Sequence, residues 1–200
     1  GGAHYHVAMG GGGYVIREGL NGAPANPVEA LKWFLKAAGQ GYPDACFNVS
    51  HMYDEGVGVI KSGVEAEKGM KKYVENAGSK NGAAQYNLAL FYAKDRPDLP
   101  KNEKEAAVWF RVVAVMGFDN APWIDSSRQA LGSYHANPES PEFSLTTAYA
   151  WWSIASVSGD GAAAEKRDAI EKRLSKAEVK EGRALAAKIL GEIEVKKNGK

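Results

Sequence analysis

The stretch Ala30–Gly41, ALKWFLKAAGQG, decides the fold because it returns: residues 106–117 read AAVWFRVVAVMG and residues 148–159 read AYAWWSIASVSG. Each copy opens on alanine, carries an aromatic pair (Trp33-Phe34, Trp109-Phe110, Trp151-Trp152) and ends on glycine (Gly41, Gly117, Gly159). A weaker copy, GMKKYVENAGSK at 69–80, keeps Tyr73 at the second aromatic place and has Lys80 where glycine stands elsewhere. The starts at 30, 69, 106 and 148 lie 39, 37 and 42 residues apart. A period of that size marks an array of supersecondary units.

A second motif alternates with the first. ACFNVSHMY (45–53) and AQYNLALFY (84–92) share alanine, an aromatic-asparagine pair, an aliphatic residue and a closing tyrosine, 39 residues apart. The segments from Ala121 and Ala163 keep the alanine and lose the rest, and Tyr14, 39 residues before Tyr53, begins a degenerate first copy. Both motifs read as helices. Ala30, Trp33, Phe34, Ala37, Ala38 and Gly41 recur at helical spacing and form one apolar stripe. Asn26-Pro27 and Asn102 offer side-chain caps, and Ser62-x-x-Glu65 and Ser175-x-x-Glu178 have the form of capping boxes. Ser62 lies a turn early, which predicts a longer helix there. The glycines at 41, 117 and 159 suit the left-handed residue that closes a helix. No stretch alternates with a period of two.

The chain therefore reads as all-α: a right-handed superhelix of about four helix-turn-helix repeats, approximately 5–42, 43–80, 81–118 and 119–160, closed by helices within 161–192, all in one domain spanning 1–200. The charged tail Glu194–Lys200 is expected to fray. Each unit buries its apolar face only against its neighbours, so the array must stack. Trp33, Phe34, Tyr53, Tyr73, Tyr92, Trp109, Phe110 and Trp151 are the expected core.

Composition narrows the function. With 25 Lys+Arg against 24 Asp+Glu the net charge is +1, which argues against nucleic acid and polybasic membrane attachment. No run of apolar residues is long enough to span a membrane. One cysteine, Cys46, excludes an internal disulfide framework and is expected to be a buried thiol. Gly1 opens the chain, and residues 1–13 lack the pattern of a signal peptide. Enzyme signatures are missing: no G-x-S-x-G, H-E-x-x-H, Walker loop or C-x-x-C. Met9-Gly10-Gly11-Gly12-Gly13-Tyr14 does not end in Gly-Lys-Ser/Thr and is read as a weak first helix A. His4-Tyr5-His6 has no third ligand at a suitable spacing and is read as an exposed end. His135, between Tyr134 and a proline loop, is expected at the surface. No catalytic residue, metal or cofactor is expected.

MYDEGVGV (52–59), AQYNLALFY (84–92), ALKWFLKAAGQG (30–41) and AAVWF (106–110) together resemble the Sel-one-like repeat family, relatives of the tetratricopeptide repeats. In that family a glycine-rich loop follows the tyrosine of helix A, as Tyr53-Asp54-Glu55-Gly56-Val57-Gly58-Val59 does here. The third repeat departs from the pattern, with Lys94-Asp95-Arg96-Pro97 where glycines would stand. The resemblance implies an α-solenoid that binds proteins in bacterial signalling, secretion or toxin-immunity settings, in the periplasm or alternatively the cytoplasm. It also implies that helices A line a concave surface and helices B lie outside.

On that arrangement the residues expected to meet a protein partner are Asn48, His51, Tyr86, Asn87, Leu90, Lys94, Trp123, Asp125 and Arg128. Phe47, Tyr86 and Trp123 occupy equivalent places, where partial burial between helices A competes with a role as groove anchors. Asn48 and Asn87 either clamp an extended peptide, since an amide both donates and accepts, or hold a neighbouring loop. The expected function is a non-catalytic interaction solenoid, a scaffold, adaptor or regulator whose partner is a secreted effector or a signalling protein. The alternative is an immunity protein that occludes a bacterial toxin. A third reading, β-lactam binding or hydrolysis, rests on relatives with paired cysteines in each repeat, which this chain lacks.

Overall fold

The computed structural model describes residues 26–116 and 121–198. Its helices are α1 (Pro27–Ala38), α2 (Pro43–Glu55), α3 (Gly63–Ala77), α4 (Gly82–Tyr92), α5 (Glu103–Ala114), α6 (Pro122–Ala136), α7 (Leu145–Val157), α8 (Gly161–Glu171) and α9 (Lys176–Asn198). Helices B of the repeats are α1, α3, α5 and α7; helices A are α2, α4, α6 and α8. Among the described residues the one strand-like feature is an isolated bridge between Arg96 and Leu99. The all-α repeat fold is thus as expected. Gly10–Gly13, His4, His6, Tyr14 and Gly117 lie outside the described residues.

The local signals act where the sequence puts them. Asn26 and Asn102 accept from the amides of Glu29 (3.1 Å) and Glu105 (3.0 Å) and cap α1 and α5. Ser175 and Glu178 form a reciprocal box: each side chain takes the other's amide, at 3.2 and 2.7 Å. Ser62 forms only half of one. Its hydroxyl takes the Glu65 amide at 3.3 Å, but its own amide donates to Tyr53 O at 2.9 Å. Glu65 pairs with Lys68 instead. The tail also differs from expectation, for α9 continues through the charged residues to Asn198. Glu and Lys are good helix formers, and Lys196 and Lys197 suit the negative end of the helix dipole.

The helices fall into two compact units that divide between Lys101 and Asn102. In the first, α1 and α2 enclose Phe34, Val49 and Met52. The loop after α2 turns on Gly56 and Gly58, at φ 73° and 72°. At Gly58 the need for glycine is double, because a Cβ there would lie 2.5 Å from the carbonyl carbon of Pro27. Helices α2 and α3 cross closely: the Ser50 hydroxyl donates to Ala66 O at 2.6 Å, and a Cβ on Gly69 would meet Ser50 backbone at 2.9 Å. Tyr92 joins α4 to α3 by donating to Glu67 at 2.8 Å; burial and this bond push its phenol up to about 12. Cys46 is buried, with the Asn76 amide donating to its sulfur at 3.4 Å.

In the second unit α6, α8 and α9 all pack on α7. That surround explains a correction to the expected core. The second aromatic of each helix B pair, Phe34, Phe110 and Trp152, is buried, but of the first aromatics only Trp151 is; Trp33 and Trp109 are half-buried. Trp33 keeps a ring face for the Lys36 ammonium, 4.7 Å from its centroid. Tyr53 and Tyr73 are half-buried as well.

His135 is a second correction, since it is buried rather than at the surface. Its Nδ1 meets Glu142 O at 2.7 Å, and Ser144 N donates to His135 O at 2.8 Å, so one residue fastens the loop between α6 and α7 twice. Its Nε2 faces an Arg111 nitrogen at 3.5 Å, and Arg111 pairs with Glu142 at 3.1 Å. Burial, helped by the Arg111 charge, lowers the imidazole pKa against the opposing bond to Glu142.

Two outcomes follow from this packing. Alanine is normally the better helix former by about 1 kcal/mol. At Gly69 the crossing leaves no room, so Gly69→Ala is expected to lower stability by about 1–2 kcal/mol. Gly191→Ala, where nothing lies within 4 Å, is expected to raise it, and urea melts of the two variants check the contrast. For His135, the unfolded chain takes up a proton near the usual value of about 6.5 while the folded chain refuses it. Stability is therefore expected to fall as pH drops from about 7 towards 5, and thermal melts of His135→Gln are expected to show a shallower fall over that window.

Candidate functional site

In the first unit a cleft of about 210 Å³ opens between the helices A α2 and α4, and His51, Asn87, Leu90 and Lys94 line it with Phe47. Helical spacing explains the set: Phe47 and His51 are one turn apart on α2, as are Asn87 and Leu90 on α4. Met70 of α3 lies beneath. Leu90 is 45% exposed, whereas Leu88, two positions earlier on the same helix, is buried.

One end of the cleft is a charge cluster. Arg96, whose side chain is 4% exposed, forks onto Asp54: Nε donates to Oδ1 at 2.5 Å and Nη2 to Oδ2 at 3.2 Å. Its Nη1 donates to the carbonyls of Phe91 (2.6 Å) and Lys94 (3.0 Å), and its guanidinium lies 3.5 Å from the Phe91 ring centroid. Burial alone would raise the Asp54 carboxyl, but the Arg96 bonds and charge, with Lys94 behind them, hold it below the usual carboxylate range. Lys94 bridges Asp54 at 3.3 Å and Glu55 at 3.4 Å. Two carboxylates thus meet two cations, and the cluster is neutral within itself.

The same loop is fastened a second time. Asp98 accepts from Gly63 N at 2.6 Å and from the Ser62 hydroxyl at 2.8 Å, so it caps α3 from the next repeat. These bonds lower the Asp98 carboxyl pKa. The residues standing where glycines were expected, Lys94 to Asp98, therefore replace a flexible turn with an ionic clasp.

Several expected contact residues lie elsewhere. Asn48 is a correction: it is 3% exposed and its amide donates to Asp44 O at 2.7 Å, one turn back on its own helix. Asn87 lines the cleft but is hydrogen-bonded to the Tyr73 hydroxyl on α3, so neither asparagine bonds the neighbouring loop in the way the sequence suggested. Tyr86 and Trp123 are half-buried, as is Phe47, whose ring sits 5.2 Å from that of Tyr73. Asp125 and Arg128 are on α6 in the second unit. Arg128 is a further correction, being largely buried rather than outward: it donates to Ala114 O at 3.2 Å and Asp125 at 3.0 Å, while Ser158 donates to Asp125 at 2.9 Å. That network ties α5, α6 and the end of α7 together. Sequence reasoning missed the role of Arg96 and Asp54; the signal was the departure from glycine at 94–97.

Among the described residues no cluster of three His, Cys, Asp or Glu could hold a metal ion, and no helix is long and apolar enough to cross a membrane. Paired helices recurring near every 40 residues, with a cleft between successive helices A, define a helical-repeat protein of the solenoid class. The chain belongs to the Sel1-like repeat family: the Sel1 repeat model matches residues 3–42, 43–68 and 82–112. A Sel1 repeat protein from Oxalobacter formigenes is similar in structure, with 28% identity and a TM-score of 0.57 over 76% of this chain. A protective antigen present in uropathogenic Escherichia coli strains, displaying an SLR fold, covers 90% at 23% identity with a TM-score of 0.50. The alignments span 58% and 44% of those two chains. No curated protein sequence matches this chain.

Removing one partner of the buried pair strands the other. Arg96→Met is expected to cost about 3–5 kcal/mol by urea denaturation. Replacing both residues, Asp54→Leu with Arg96→Met, is expected to recover most of that loss, because no buried charge remains.

Proposed function

We propose that the chain is a non-catalytic interaction module and that the cleft between α2 and α4 seats a segment of a partner protein. Sel1 repeats generally mediate protein–protein interaction, and proteins built from them are typically non-catalytic scaffolds. The observation that carries the reading is Leu90: a large aliphatic side chain, half exposed, that lines a cleft together with Phe47 and His51. An apolar anchor framed by groups that exclude water is the pattern of a binding hot spot. The periplasm is the compartment that goes with this proposal, on the family resemblance.

Leu90 and His51 are both exposed, so they test binding without testing the fold. Leu90→Asp and His51→Ala are expected to abolish capture of the partner from a bacterial lysate while shifting the melting temperature by less than about 3 °C. Undiminished capture by both variants would move the interface elsewhere. A single stoichiometric partner favours an immunity role and several partners favour an adaptor. Turnover of a chromogenic β-lactam by the native chain would overturn the non-catalytic reading.

A further inference from the structure

The C-terminal helices form a second, unrelated recess. Helices α8 and α9 both pack on α7 but make little contact with each other, so they diverge from the turn that joins them. The space between them is a cleft of about 420 Å³ lined by Glu171, Leu174, Lys176, Val179, Lys180 and Arg183. That volume falls within the range of small-molecule sites, roughly 300–1,000 Å³.

The chemistry of the lining is divided. Leu174 and Val179 provide an apolar floor that continues into the core around Tyr149 and Trp152. At one side Tyr149, itself buried, donates to Glu171 Oε2 at 3.1 Å, while Arg183 donates to the Tyr149 hydroxyl at 3.2 Å and to Glu171 Oε1 at 3.1 Å. Arg183 and Glu171 therefore cancel each other. Lys176 and Lys180, one turn apart on α9, have no ion-pair partner among the described residues. The start of α9 is already satisfied by the Ser175–Glu178 box, so the positive charge here belongs to the two ammonium groups.

We propose that this cleft binds a small amphipathic anion, its head between Lys176 and Lys180 and its apolar body on Leu174 and Val179. The two ammonium groups alone hold the head. The Arg183 Nε and one Nη are committed to Tyr149 and Glu171, so no free guanidinium fork is offered to it.

Octanoate is the probe, with octanol as its uncharged counterpart. Backbone amide NMR shifts at Lys176, Val179 and Lys180 are expected to move with octanoate and saturate. Octanol is expected to bind about tenfold more weakly, and Lys176→Gln with Lys180→Gln to weaken octanoate by about tenfold at an unchanged melting temperature. Equal binding of octanol and octanoate, full affinity in the double variant, or shifts confined to other helices would overturn the proposal.

Discussion

At the crossing of α2 and α3, Ser50 donates to a carbonyl of the facing helix and Gly69 offers no Cβ. The rest of the first unit depends on that approach. Helix pairs held by small residues leave larger side chains only two places to go, into the layer between repeats or out beside the crossing. Met52 and Leu88 take the first course; Phe47 and Tyr73 take the second and meet with their rings tilted by 59°. The second unit uses the same device with a different pairing, where a Cβ on Gly132 would lie 2.4 Å from the Trp152 indole nitrogen. The cleft between α2 and α4 is what remains once these contacts have set the helices.

Periodicity made most of this architecture legible. Alanine, aromatic and glycine positions repeat because stacked units impose the same contact at the same place, so helix order and most caps could be read directly. The failures share a cause. Trp33, Trp109 and Trp151 look identical in sequence, yet among the described residues only Trp151 sits on a helix wrapped by three others. A repeat pattern reports a residue's place within its unit; it does not report how many neighbours that unit has. Asn48 and His135 failed differently, because polar residues are buried when a specific partner waits for them. Those partners, a carbonyl one turn back and a carbonyl in the next loop, leave no periodic trace.

Arg96 shows how a departure from the repeat pattern becomes structure. The second repeat turns its loop with left-handed glycines, whereas the third uses an arginine that reaches back to Asp54 and an aspartate that caps α3. Hydrogen bonds between distant loops do what backbone freedom does elsewhere. The candidate site owes its edge to this exchange, since Lys94 is held over Asp54 and Glu55 by the same turn.

The internal cancellation of charge at Asp54, Glu55, Lys94 and Arg96 also has a kinetic side. A cleft with no net field does not draw in a charged segment from a distance, so a partner reaching it arrives by unaided diffusion, at about 10⁵–10⁶ M⁻¹s⁻¹ rather than the electrostatically accelerated range. On the proposed reading such an encounter would be nearly indifferent to ionic strength, and its lifetime would be set by how well an apolar side chain seats against Leu90. If the cleft is the docking site, the protein would keep the same partner in dilute and in salty surroundings and would discriminate by how slowly it lets go.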